Sequence, residues 1–133
     1  MASNGFMHGR HRSRIIWHHQ HPVAGRKSKS IDAGLFAGEV VFADGERGTY
    51  IGSETVGTFE DPGAFRGSAI IILDDGSVSN QTFEGTTDST TDPDRLSGTG
   101  IWKMESGTGR FEGLAASGPF RWSMIGDEYE DEF

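Results

Sequence analysis

Residues 65–86 read FRGSAIIILDDGSVSNQTFEGT. Two strand-length runs flank Asp75-Gly76. Asp and Gly tolerate the positive φ of tight hairpin turns, so this stretch predicts two antiparallel strands joined by a turn. The pattern repeats outward on both sides. Residues 35–43 place Phe36, Val40 and Phe42 on one face, Asp44-Gly45 turns the chain, and residues 48–59 return. Asp61-Pro62-Gly63 is a further turn signal. Beyond the polar stretch TDSTTDPDR (87–95), residues 96–105, 110–114 and 117–125 supply more strand-like runs, with a glycine turn at 107–109. Turn signals about every ten residues, with no 3.6-residue period, predict an all-β fold. Six or seven strands are visible, and an eighth comes from residues 15–19 or from the bending of one long strand. The expected architecture is a closed antiparallel barrel of about eight strands.

Residues 1–30 have a different composition. They hold six Arg/Lys, no acid, and all five histidines: His8, His11, His18, His19 and His21. Only Ile15, Ile16 and Trp17 form an apolar island. The segment reads as a basic, disordered extension ahead of a barrel domain over 31–133. That domain holds six Arg/Lys against twenty Asp/Glu, a net −14. So acidic a surface repels phosphate backbones, so nucleic acid is not an expected partner, and only the extension suits a polyanion. The acidic end DEYEDEF (127–133) reads as a solubilising end, or as a partner for the basic N-terminus.

The chain has no cysteine, which excludes disulfides and thiolate chemistry and fits a reducing compartment. No apolar run approaches the ~20 residues that span a bilayer, and no secretory h-region is present. A cytoplasmic protein with no membrane partner is expected. Ala69, Ile70, Ile71, Ile72 and Leu73 are apolar without alternation. A strand wet on one face should alternate, so this one is expected to be covered on its outer face, as in a homo-oligomer (dimer or trimer).

Two stretches carry a family resemblance. They are GSAIIILDDGSVSNQTFEGTTD (67–88) and GTGIWKMESGTGRFEGLAASGPFRW (98–122), the latter with G-T-G-x-W, S-G-T-G-R-F-E-G-L and S-G-x-F. The chain resembles, over roughly residues 34–125, the small bacterial proteins with an allene-oxide-cyclase-like barrel, a calycin-type fold related to the dirigent proteins. The resemblance implies an eight-stranded barrel with a central cavity, often dimeric or trimeric. It also implies cofactor-free cyclisation or isomerisation, in which the cavity shapes a bound reactive molecule. No catalytic residue of that family maps onto a position in this chain.

Residues 22–133 contain neither His nor Cys. A base inside the barrel is therefore expected to be a carboxylate with a raised pKa, or Tyr50; a histidine base requires the extension to fold in. A two-residue turn at Asp44-Gly45 pairs Glu39 with Tyr50 and Leu35 with Glu54, on the face opposite Phe36, Val40, Phe42 and Ile51. The same logic pairs Ile71 with Asn80 and Ile70 with Gln81. Either the polar face lines a cavity, where it would polarise an oxygen atom, or it is wet and the apolar face is the core. Trp102 and Trp122 either stack on a ligand or fill the core. The candidate ligand-binding residues are thus Glu39, Tyr50, Glu54, Asn80, Gln81, Trp102 and Trp122. The histidines lack a neighbouring carboxylate and the spacing of a closed metal site, so no resident metal or cofactor is expected.

Two functions fit. The first is a barrel that binds an apolar small molecule, extending to cofactor-independent cyclase or isomerase activity. The second is a non-catalytic structural or interaction barrel filled with side chains. An enclosed void above about 300 Å³ with convergent polar groups would separate them.

Overall fold

The computed structural model describes residues 6–22, 30–56, 63–88, 92 and 94–133. Eight antiparallel strands close into a barrel in chain order. They are β1 (Gly9–Pro22), β2 (Ser30–Phe42), β3 (Arg47–Val56), β4 (Ala64–Leu73), β5 (Val78–Thr87), β6 (Arg95–Gly107), β7 (Ser117–Ile125) and β8 (Glu128–Glu132).

The expectation of a disordered extension over 1–30 does not hold for residues 9–22. They are β1, which pairs with β2 from Gly9↔Phe42 to Pro22↔Ser30 and with β8 from Arg10↔Glu132 to Arg14↔Glu128. Alternation explains why so polar a segment is a strand. Arg10, Arg12 and Arg14 face solvent opposite Glu132, Glu130 and Glu128. Arg12 Nε lies 3.5 Å from Glu130 and Arg14 Nη2 3.0 Å from Glu128. His11, Ser13 and Tyr129 point inward, so the acidic end pairs with the basic segment, as one of the two sequence readings held. A bulge between Ile15 and Trp17 then shifts the parity of β1. Ile16 is left exposed, and Trp17 and His19 stack on each other at 6.0 Å.

Both early hairpins differ by one residue from the expected register. Phe42 C=O accepts from Gly45 N–H at 2.9 Å, and Phe42 N–H donates to Glu46 C=O at 2.8 Å. The loop therefore has three residues, with Gly45 at φ 91° as a bulge glycine. Leu73 to Ser77 repeats the geometry, with Gly76 at φ 87°. Asp44 and Asp75 secure the two turns by accepting from the N–H two residues on, each at 2.9 Å. Tyr50 consequently faces Gly38, Glu39 faces Thr49, Glu54 faces Gly34 and Leu35 faces Ser53. In the second hairpin Ile71 faces Ser79, Ile70 faces Asn80 and Ala69 faces Gln81. Phe36, Val40, Phe42, Tyr50 and Glu54 share the inner face, whereas Leu35, Glu39 and Ile51 point out.

The interior is filled by rings set against glycines. Phe65 stands opposite Gly85, Phe120 opposite Gly100, Trp122 opposite Gly98 and Trp102 opposite Gly118. A Cβ on Gly85 would lie 2.5 Å from the Phe65 ring, and one on Gly98 2.8 Å from the Trp122 indole nitrogen. Much of the glycine content thus makes room for aromatics, as alternating small and large residues do in small barrels. The 110–114 strand is not formed. Gly109–Phe111 is instead one 3₁₀ turn that drives Phe111, 1% exposed, against Phe6 and Phe42. With Phe133 packed on Phe42, these rings plug the end of the barrel that holds the tight hairpins. On the outside, Ile70 and Ile72 are half-buried beside exposed Ile51 and Leu35.

The β1–β8 seam rests on exposed ion pairs, worth up to about 1 kcal/mol each. Arg12→Glu with Arg14→Glu should lower stability by about 1–2 kcal/mol at low salt. Adding Glu128→Arg and Glu130→Arg should restore most of the loss. Urea denaturation of the four-member set at low and high salt measures both effects.

Candidate functional site

Two hollows lie end to end inside the barrel. The central one, about 50 Å³, is walled by His11, Val40, Tyr50, Gln81, Trp102 and Asp131 among others. The upper one, about 180 Å³, lies toward the end away from the aromatic plug. Ile15, Val56, Phe65, Leu96, Trp122 and Met124 give it an apolar wall, and Asp32 and Glu54 enter it. Phe36, Glu54 and Tyr129 belong to both walls.

The polar side of the central hollow is a connected chain. Tyr129 donates its hydroxyl to Asp131 Oδ2 at 2.7 Å. His11 Nδ1 donates to the same oxygen at 3.1 Å. Carboxylate oxygens only accept, so Nδ1 carries the proton and, in the neutral imidazole, Nε2 accepts from Ser13 Oγ. The His11 ring lies 3.6 Å from that of Tyr50. Burial, reinforced by the charges of Asp131 and Glu54, raises the pKa of Tyr50 and Tyr129 above the usual phenol value, so both hydroxyls stay protonated at neutral pH.

Glu54 is different. Among the described residues no hydrogen bond or ion pair holds it, and burial alone pushes its pKa from 4.5 up to about 7. A carboxyl that titrates near neutrality in a dry site can give or take a proton.

The interior therefore does contain a histidine, contrary to the expectation drawn from residues 22–133. His11 is 4% exposed and lies on the first barrel strand. Ser13, His11 and Asp131 even follow the hydrogen-bond order of a hydrolase triad. Ser13 lines neither hollow, however. A Cβ added to Gly38 would lie 2.6 Å from Ser13 Oγ, so the hydroxyl is wedged between β1 and β2. Ser13 is 7% exposed and its hydroxyl is bonded to His11, so it serves to hold His11 in place. Among the described residues no group of three or more His, Asp or Glu is placed to hold a metal ion. His18 lines the upper hollow, and His8 and His19 are exposed.

Of the residues singled out in the sequence, Tyr50, Glu54, Gln81 and Trp102 line the central hollow, and Glu54 and Trp122 the upper one. Trp122 donates its indole N–H to Thr86 C=O at 3.2 Å. Glu39 and Asn80 are outside: Glu39 pairs with Arg47 at 3.1 Å, and Asn80 donates to Ser106 at 3.0 Å. The expected Glu39–Tyr50 juxtaposition is lost to the three-residue loop. His11, Asp32, Tyr129 and Asp131 escaped the sequence reading. The signal that locates three of them is the complementary alternation R-x-R-x-R (10–14) against E-x-E-x-E (128–132), whose interleaved residues face inward. Comparison with family models, with curated proteins and with solved structures finds no match to this chain.

Glu54 supplies a pH test. Its folded pKa of about 7 exceeds the 4.5 of an ordinary glutamate, so the folded state binds the extra proton. The associated stability is complete below about pH 4.5 and is lost as pH rises toward about 7. Glu54→Gln should therefore match the native protein in stability at about pH 4 and exceed it by up to about 3 kcal/mol at about pH 8. Parallel denaturation profiles across that range would refute the assignment.

Proposed function

We propose that the barrel binds a compact, mainly apolar small molecule in the upper hollow, with the polar end of the molecule turned to Glu54. The observation that carries this reading is a half-buried carboxyl group, without a partner among the described residues, on the wall shared by two hollows. An unpaired buried polar group is costly and is retained chiefly where something else satisfies it. The upper hollow of about 180 Å³ is close to the ~150 Å³ of an engineered apolar cavity that takes up benzene. The ligand is therefore about one ring or a short branched chain in size. Glu54, together with the protonated hydroxyls of Tyr50 and Tyr129, has the makings of cofactor-free proton transfer. That chemistry agrees with the cyclisation or isomerisation implied by the resemblance to allene-oxide-cyclase-like barrels.

A second reading, a structural barrel with a filled interior, draws support from size. Neither hollow reaches the ~300 Å³ at which drug-sized pockets begin, and the central one holds no more than a few waters.

Toluene separates the two. If the upper hollow binds ligands, saturating toluene should raise the melting temperature and change Trp122 fluorescence. Val56→Phe, which fills the hollow, should abolish both responses while the barrel stays folded. A native protein indifferent to toluene supports the filled barrel.

A further inference from the structure

The upper hollow has an unbalanced set of charges. Glu54 and Asp32 both enter it from neighbouring strands: Glu54 stands opposite Gly34 and Asp32 opposite Val56, two positions further along. The backbones of diagonal neighbours of this kind lie about 7–8 Å apart, and their side chains, on one face, reach into the same space. Asp32 Oδ1 is shielded from solvent and has no hydrogen-bond partner. Glu54 has none either among the described residues. Among the described residues no lysine or arginine lines either hollow. His11 is committed to Asp131, and His18 sits exposed at the upper hollow.

The rest of the wall suits a cation as well. Phe36, Phe65, Trp122 and Tyr129 surround the same space. Aromatic faces attract a positive charge, and most strongly away from water. The chain carries a net −8, which draws cations toward it at long range.

We infer that the ligand of the upper hollow is a protonated amine with an apolar body of about one ring, its ammonium bridged by Glu54 and Asp32 and its body held among Phe65, Leu96, Trp122 and Met124. This rests on the ligand-binding reading above and adds the charge of the ligand to it. An ammonium donates three hydrogen bonds, enough for both carboxylates. Its charge also offsets the cost of keeping Glu54 ionised in an apolar site. A ketone only accepts, so it needs a protonated carboxyl, and an alcohol has a single proton to donate, so neither can donate to two ionised carboxylates at once.

The experiment compares benzylamine, benzyl alcohol and toluene, measured by calorimetry and by Trp122 fluorescence at about pH 5.5 and about pH 8. The groups facing Glu54 are Tyr50 on its own strand, Asp32 on β2, His11 and His18 on β1, and Tyr129 and Asp131 on β8. Benzylamine stays charged across the range, while Glu54 passes from mostly protonated to mostly ionised. Its affinity should exceed that of the alcohol at the higher pH and should rise roughly tenfold to thirtyfold between the two. Glu54→Gln should flatten that rise yet still bind toluene, which shows the hollow intact. Asp32→Asn should weaken benzylamine at both pH values and leave toluene unaffected. Benzyl alcohol binding as well as benzylamine, or benzylamine affinity that is flat or falling with pH, would overturn the inference while leaving the ligand-binding reading in place. If none of the three compounds binds, both are overturned.

Discussion

The pairing of β1 with β8 is the constraint on which the rest of the molecule depends. Without it the eight strands would form an open sheet with two bare edges, and the inner face would be wet. Closure is achieved over five paired positions, as few as join β7 to β8. The alternation that places arginines opposite glutamates outside places His11 beside Asp131 inside. The same five residues of β8 therefore close the wall and complete the polar chain. Dryness follows from closure, and the raised pKa of Glu54 follows from dryness.

Inside this wall the volume is set by rings laid over glycines. Phe65, Phe120, Trp102 and Trp122 each occupy the space left by a glycine on a neighbouring strand. The plug of Phe6, Phe42, Phe111 and Phe133 fills one end. The larger hollow is shifted to the other end, and among the described residues Glu54 and Asp32 Oδ1 stand in its wall without a bonded partner.

The all-β barrel was legible because glycine, Asp-Gly turns and β-branched runs state their local geometry independently of context. Tyr50, Glu54, Gln81, Trp102 and Trp122 stood out in the sequence as candidates for the interior, with a wet polar face as the alternative, but their grouping was not legible. One residue of loop length decides it. Ala43-Asp44-Gly45 closes as a three-residue turn, and that difference separates Glu39 from Tyr50 and joins Tyr50 to Phe36. His11 was hidden for another reason. The composition of residues 1–30 resembles a solvated tail, and a strand made of alternating arginine and inward polar residues has no apolar face to reveal it. Only its distant complement at 128–132 does so, a pairing across the whole chain that local periodicity does not register.

The arginine–glutamate ladder has a consequence beyond its modest energy. A strand can slip along its neighbour by one residue and still form backbone hydrogen bonds, but its two faces then trade places. Here such a slip would bury three arginines or three glutamates and expel His11 or Asp131. The ladder is thus a registration mark: it lets the sheet close in one frame only. The inner chemistry owes its alignment to charges that never enter the barrel.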